Sequence, residues 1–257
     1  MGLYLDFAKF SLVLILLSYA SWSDWCTREV SDNVWIVFAL GGLTLTISEV
    51  FLTKDFTLLF LLILSFSVIF LICFSFSYFG LVGEADSKAF ICLALTFPWP
   101  PKTVKPILGI TLPIFPLSFL TNALALSLSV IVFVFIKNIL WKFKDGKNLF
   151  KGFETEAFYK KVLMVFVGYK IEKKKLRNTI HLSVAEKLVK NKDGKLRRSL
   201  ELSPYITDLL KKFNLEDLPE EVWVTPRIPM IIFILAGFLV TIFLGDIIFY
   251  LIFRAFM

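Results

Sequence analysis

Two aspartates, Asp24 and Asp86, stand at the ends of apolar stretches, Asp24 closing the first and Asp86 opening the fourth. Ionisable residues at membrane depth are costly and usually serve a function. Two carboxylates brought together in a low-dielectric site cannot both stay ionised, so the pair shares a proton. The ionised member can then take a proton from water, while the protonated member donates to the carbonyl oxygen of a peptide bond. Such hydrolysis needs neither a metal nor a nucleophilic side chain, and no metal or cofactor is expected. Gly83-Glu84-Ala85-Asp86 puts Gly83 and Ala85 just ahead of the second acid. Small residues there would let an extended peptide backbone come close. Taken singly, Asp24 reads more readily as a helix cap or loop charge than as a working acid, and Ser21, Ser23 and Ser87 are good caps too.

The elements that must position these acids are membrane helices. Of the 257 residues 57% are hydrophobic, and 29 are phenylalanine. The apolar residues form continuous blocks of about 20, the length that crosses a hydrocarbon core of roughly 30 Å. Only helices or closed barrels satisfy their backbone in lipid, and continuous rather than alternating blocks select helices. The blocks cover residues 4–26, 34–51, 56–78, 86–98, 113–137 and 228–253. The fourth is short for a crossing and runs into Pro98-Trp99-Pro100-Pro101. The first lacks a basic leading region and is read as a span, not a cleaved signal. Two crossings separate Asp24 from Asp86, which returns the chain to the face it left. Both acids therefore share one membrane face whatever the length of block four.

Charge sets the orientation. Between Lys137 and Arg227 lie 21 of the 28 lysines and arginines. Positive charge collects in cytoplasmic loops beside anionic lipid. That reading is preferred here to nucleic-acid binding. The acids then face the cytoplasm, with Arg28 and Lys88 in agreement and Lys54, Lys102 and Lys105 outside. Trp99, Trp141 and Trp223 are expected at interfaces. The remaining acids, Asp6, Glu29, Asp32, Glu49, Asp55, Glu84, Asp145 and Asp246, are read as structural or solvated. Cys26, Cys73 and Cys92 form no Cys-x-x-Cys pair, and His181 is the sole histidine. A zinc site or a disulfide framework is not expected.

Between the last two blocks the chain changes character. Residues 161–170 read as a strand or a buried apolar segment, 179–184 and 221–224 as strands, and 206–213 as a short amphipathic helix. Asp193-Gly194 suits a hairpin turn. The expected fold is a membrane all-α bundle of about six transmembrane helices. A small α+β cytoplasmic domain is inserted between helices five and six. The divisions are 1–140 for helices one to five, 141–226 for the insert, and 227–257 for the last helix.

Ser23-Asp24-Trp25-Cys26-Thr27-Arg28-Glu29-Val30, after an apolar helix, resembles the first-aspartate segment of type IV prepilin peptidases. Gly83-Glu84-Ala85-Asp86 resembles their Gly-x-Gly-Asp motif, with Ala85 in place of the second glycine. Trp223-Val224-Thr225-Pro226-Arg227-Ile228-Pro229, leading into the last span, looks like the archaeal members, the preflagellin peptidases. The resemblance implies a membrane-embedded aspartic endopeptidase with Asp24 and Asp86 as its catalytic dyad. Its substrates would be flagellin or pilin precursors with short basic leader peptides, cleaved at the cytoplasmic face before their apolar helix. The bacterial relatives also methylate the new N-terminus through a cysteine-rich domain. This sequence has no such cysteines and no nucleotide-binding glycine loop, so cleavage without methyl transfer is expected. The same chemistry could serve archaeal pilins or other precursors with similar leaders. A proton-coupled transporter is the reading from a different class. It would favour acids at the midplane and an internal repeat, and the sequence shows neither.

Overall fold

A computed structural model describes residues 2–145, 149–173, 181–190, 196–200 and 219–256. The chain divides into two compact units: residues 1–127 with 229–257, and residues 128–228.

In the first unit, α1 covers Gly2–Thr27, α2 Asp32–Thr53, α3 Thr57–Tyr78 and α4 Glu84–Thr96. Helix α5, Phe115–Asp145, begins in this unit and ends in the other. The chain returns with α7, Met230–Phe243, and α8, Ile247–Phe256. Helices α1, α2, α3 and α5 are each long and apolar enough to cross a membrane. The pair α7 and α8 would make a fifth span if taken together, bent by 54°.

Helix α4 is short, as its sequence suggests. Its 13 residues rise only about 20 Å. Contacts with α2 show what completes its path. Lys88 Nζ meets Asp32 Oδ1 at 2.7 Å, Cys92 Sγ lies 3.5 Å from the Trp35 carbonyl, and Thr46 Oγ1 donates to the Thr96 carbonyl at 2.9 Å. Beyond the helix, Trp99 Nε1 donates to Glu49 Oε1 at 3.3 Å. The segment after Thr96 thus goes on in non-helical form beside α2. Phe97 and Trp99 are buried there, and irregular backbone at membrane depth is tolerated where protein covers it. Gly42 permits the approach: a Cβ there would fall 2.0 Å from Thr96 Oγ1. Small residues at such crossings replace the hydrophobic drive that lipid cannot supply. Phenylalanines fill the centre of this unit. Phe115 and Phe119 pack edge to face at 4.7 Å between centroids, and Phe119 meets Phe238 of α7 at 5.2 Å.

The last apolar block is broken, not continuous. Gly245 takes a left-handed φ of +101°, which favours glycine. Asp246 then caps α8, its Oδ1 accepting from the Phe249 N–H at 3.0 Å. Asn122 of α5 braces the break, donating to the Gly245 carbonyl at 2.9 Å and accepting from the Ile247 N–H at 3.1 Å.

The second unit is α+β. Helix α6, Phe158–Val167, leads into β1, Tyr169–Glu172. Strands β2 (Leu182–Val184) and β5 (Glu221–Pro226) join β1 in an antiparallel sheet of order β1-β5-β2. Strands β3 (Glu186–Lys190) and β4 (Leu196–Leu200) pair as a hairpin, with Lys190 opposite Leu196. The expected Asp193-Gly194 turn between them lies outside the described residues, as does the expected helix at 206–213. Central β5 is buried on both faces. Val222 and Val224 pack with Tyr169, Ile171, Val184 and Val134, while Trp223 packs with Phe153, Met164, Ala185 and Leu200. Within this core Arg198 holds Glu186 through Nε and Nη2 at 2.8–2.9 Å, and the Trp223 N–H donates to Glu186 Oε1 at 2.7 Å. Burial holds the Glu186 carboxyl above the usual carboxylate range, with the Trp223 N–H and the Arg198 charge pulling the other way.

Two expectations need correction. Residues 161–170 are mainly helical, since the run shifts from period 3.6 to strand only after Gly168. Trp223 and Trp99 are core residues, not interface anchors. Their large rings fill space behind β5 and beside Glu49.

Candidate active site

Asp24 sits in the last turn of α1. That helix ends because Arg28 adopts a left-handed φ of +62°, with its N–H still bonded to the Asp24 carbonyl at 3.1 Å. Thr27 Oγ1 donates back to the Ser23 carbonyl at 2.9 Å, and Ser23 Oγ donates forward to the Glu29 carbonyl at 2.7 Å. These bonds fix the turn that carries the acid. Arg28 Nη1 stands 4.0 Å from Asp24 Oδ1, four residues on. Both side chains are largely covered, at 15% exposure for Asp24 and 17% for Arg28.

Asp86 sits in the first turn of α4, at the third position after the cap residue Gly83. Its carboxylate turns back, and Oδ2 accepts the Gly83 N–H at 3.3 Å. An acid at that position satisfies a donor the helix would otherwise leave open. The helix N-terminus also favours negative charge there.

The fold brings these two acids together. Asp24 and Asp86 act on each other through their charges, and Arg28 is within reach of Asp86 as well. Helix α3 contributes Cys73, which feels the Asp86 charge. Four segments therefore meet at one end of the first unit: the close of α1, the turn at Arg28, α3 at Cys73 and the start of α4. Two of these neighbours were read only for topology and packing in the sequence. The spacing of four between Asp24 and Arg28 was the available signal. Nothing in the sequence around Cys73 points to Asp86.

Gly83 and Ala85 play different parts. Gly83 has φ −70° and ψ 159°, ordinary extended backbone, so its glycine is not required by conformation. Space is the tighter constraint: a Cβ would lie 3.0 Å from Asp86 Oδ2, so the carboxylate would have to shift by a few tenths of an ångström. Gly83 leaves room for the carboxylate to fold back on the cap. Ala85 packs, partly buried, against the main apolar core. Lys88 completes the surroundings by bridging Asp32 at 2.7 Å and Glu84 at 2.6 Å. Those acids are 75% and 81% exposed, so the pairing contributes little to stability.

Three of the other acids are occupied elsewhere. Glu49 pairs with Lys9 at 2.6 Å. Asp6 accepts from Thr103 Oγ1 at 2.7 Å. Asp246 accepts from Thr121 Oγ1 at 2.9 Å besides capping α8.

Comparison with known proteins bears on both units. Residues 11–136, which include Asp24 and Asp86, match the family model described as Type IV leader peptidase family. Residues 160–247 match the model described as Archaeal Peptidase A24 C-terminus Type II. A preflagellin peptidase of Methanocaldococcus jannaschii is 28% identical over 243 residues, covering 93% of this chain and 94% of that protein. The preflagellin peptidases of Methanococcus maripaludis and Methanococcus voltae are 26% and 27% identical, covering 90% and 92% of this chain and 92% and 95% of theirs.

Proposed function

The chain belongs to the type IV leader peptidase family, and from that premise we propose that it is a membrane-embedded aspartic endopeptidase whose dyad is Asp24 and Asp86. One observation carries the proposal: the last turn of α1 and the first turn of α4 bring two acids within reach of each other's charge.

The chemistry follows from a shared proton. One water lies between the carboxyl groups. The ionised aspartate takes its proton as the water oxygen attacks the carbonyl carbon of the scissile peptide. The protonated aspartate donates to the carbonyl oxygen, giving a neutral tetrahedral diol. The two acids have now exchanged states. Collapse of the diol returns a hydroxyl proton to one aspartate, while the other protonates the departing amine. Charge at the site stays at one throughout, which suits a poorly hydrated setting. Gly83 keeps Asp86 in place and Arg28 orients Asp24.

The relatives' names supply the substrate class, precursors of flagellins. In our reading the precursor's apolar helix enters among the spans, and its short basic leader stays at the cytoplasmic face. The chain crosses six times: α4 with its buried continuation makes the fourth crossing, and α7 with α8 the sixth. The basic unit between α5 and α7 faces the cytoplasm, and the new N-terminus is left unmethylated.

The test is direct. Detergent-solubilised protein is mixed with a preflagellin and the product followed on a gel, with Asp24→Asn and Asp86→Asn alongside. Wild type should shorten the precursor and neither variant should. Cleavage at the wild-type rate by either one would remove the dyad. Mass measurement of the product's N-terminus after incubation with a methyl donor checks the absence of methylation. A pilin precursor in parallel ranks the two substrate classes.

A further inference from the structure

Helix α6 is amphipathic in the wrong direction for a water-facing domain. It turns Met164 into the core of its unit, where the residue is fully buried. The stripe facing away holds Phe158, Tyr159, Val162, Leu163, Phe166 and Val167, each 39–81% exposed. Positions i, i+1, i+4, i+5, i+8 and i+9 form one continuous band on a helix. A helix on a solvated domain would place polar residues on that band, and here all six are apolar or aromatic. The charged residues Lys160 and Lys161 sit at its flanks. Each is held by its own unit, Lys160 by Glu156 at 3.4 Å and Lys161 by the Glu154 carbonyl at 3.1 Å.

The band does not end at α6. Phe166 stacks on Phe135 of α5 at 5.2 Å with 7° between the planes. Asn138 of α5 fixes the end of α6, donating to the Val165 carbonyl at 2.8 Å and the Gly168 carbonyl at 2.7 Å. Helix α5 is a candidate span of 29 residues, about 43 Å long at 1.5 Å per residue. That length matches a bilayer with its headgroup layers, roughly 40–45 Å. Phe135 lies about 12 Å before the end of that span, roughly 5 Å inside the boundary where acyl chains give way to headgroups. The outward face of α5 stays apolar beyond it, through Leu140 to Phe143. The band on α6 thus continues the exposed apolar face of α5, a candidate span. Charge points the same way, since residues 137–227 carry 21 lysines and arginines against 12 acids.

We propose that α6 is an interfacial helix, its aromatic and aliphatic band seated in the headgroup–acyl boundary of an anionic leaflet. Amphipathic helices flanked by basic residues bind such surfaces through buried apolar area and electrostatic attraction together. A basic leader peptide is a poor occupant, because the unit's net charge repels it. The proposal rests on α5 as a span and is independent of the proteolytic reading.

The test uses the unmodified full chain reconstituted in vesicles that contain a photoactivatable lipid with a diazirine near the middle of its acyl chain. One set is pure phosphatidylcholine, and the other contains a third phosphatidylglycerol. After illumination, adducts are mapped by mass spectrometry, with α5 residues 128–136 as the internal standard. In the anionic vesicles, residues 158–167 should carry adducts within about threefold of that standard, and several-fold fewer in the neutral set. Adducts on α5 with none on 158–167 would overturn the proposal. Equal labelling in both sets would overturn the choice of an anionic surface. Protein–protein cross-links joining 158–167 of two copies, in place of lipid adducts, would assign the band to self-association instead.

Discussion

Two buried acidic sites stand at opposite ends of α1, and they are built on opposite principles. Near the start of the helix, Lys9 meets Glu49 at 2.6 Å, and Trp99 Nε1 donates to the same carboxylate at 3.3 Å. The side chains are 2% and 10% exposed. Near the end of the helix, Asp24 faces a second acid and also pairs with Arg28, whose Nη1 lies 4.0 Å from Oδ1. Burial is common to the two sites, and the partner differs. A carboxylate matched to an ammonium at contact distance has its charge cancelled and nothing left to exchange. A carboxylate matched to another carboxylate must hold a proton between them, and a held proton can be handed on. On the proposed reading, what an acid faces separates the structural acids from the chemical ones.

The comparison is broken most readily at the dyad. Asp24→Asn and Asp86→Asn should each lower cleavage by at least 10³-fold, in line with the loss of a general acid or base. Both variants should keep the wild-type unfolding temperature in detergent, because asparagine keeps the volume and an acceptor oxygen, and a pair that shares one proton already carries a single charge. Rates come from the gel assay and stability from thermal unfolding. A variant that loses activity only in step with its stability would return its aspartate to the structural class.

The Lys9–Glu49 site should respond in the opposite way. Lys9→Met strands Glu49 in an apolar setting, and breaking one side of a buried pair costs about 3–5 kcal/mol. The unfolding temperature should drop sharply, and cleavage by the protein that remains folded should stay within a few-fold of wild type. The double variant Lys9→Met with Glu49→Leu should recover most of the loss, since neither charge is then buried alone. Loss of cleavage by Lys9→Met at unchanged stability would bring that pair into the chemistry.

How much of this could be read in the sequence differs between the two sites for a physical reason. Asp24 and Asp86 lie two crossings apart, and crossing number fixes the face of a membrane on which a residue emerges. Glu49 and Lys9 also lie one hairpin apart, yet nothing in a linear sequence says that their helical phases coincide. Phase depends on the turn at residues 28–31, where Arg28 takes its left-handed conformation. The break at Gly245-Asp246 was legible in residue type but hidden inside a uniformly apolar run. The fourth apolar block was legible as short, and its non-helical continuation was not. That continuation depends on Gly42 making room for Thr96 and on Glu49 receiving Trp99. Residues 161–170 misled because a short apolar run carries no period long enough to separate helix from strand. The smallness of Gly83 was legible, but that its missing Cβ also leaves room for Asp86 Oδ2 depends on the carboxylate folding back over the cap.

That last point can be sharpened at single-atom scale. Gly83→Ala adds a Cβ 3.0 Å from Asp86 Oδ2 with no backbone strain, since φ −70° and ψ 159° suit alanine. The carboxylate must swing away and weaken its 3.3 Å bond to the Gly83 N–H. A displacement of about 1 Å at a reacting group can cost about 10²-fold in rate, and a smaller one correspondingly less. The expected result is a 10–100-fold fall in kcat with KM within about twofold, measured by initial rates across precursor concentrations. A rise in KM at constant kcat would instead make Gly83 a contact for the substrate backbone.

Asp246 gives the mildest test and the cleanest one, because it is a fully buried acid that pairs with neither a lysine nor another acid among the described residues. Its oxygens accept from Thr121 Oγ1 at 2.9 Å and from the Phe249 N–H at 3.0 Å. A cap needs an acceptor, not a charge, so Asp246→Asn should cost at most a few tenths of a kcal/mol, while Asp246→Ala should cost about 1 kcal/mol. The loss should appear as faster amide exchange in the first turn of α8, with cleavage unchanged in both variants. If asparagine at 246 abolished cleavage as asparagine at 24 or 86 is expected to, facing a like charge would no longer distinguish the working acids. Burial alone would then have to do so, and Glu49 already stands against that.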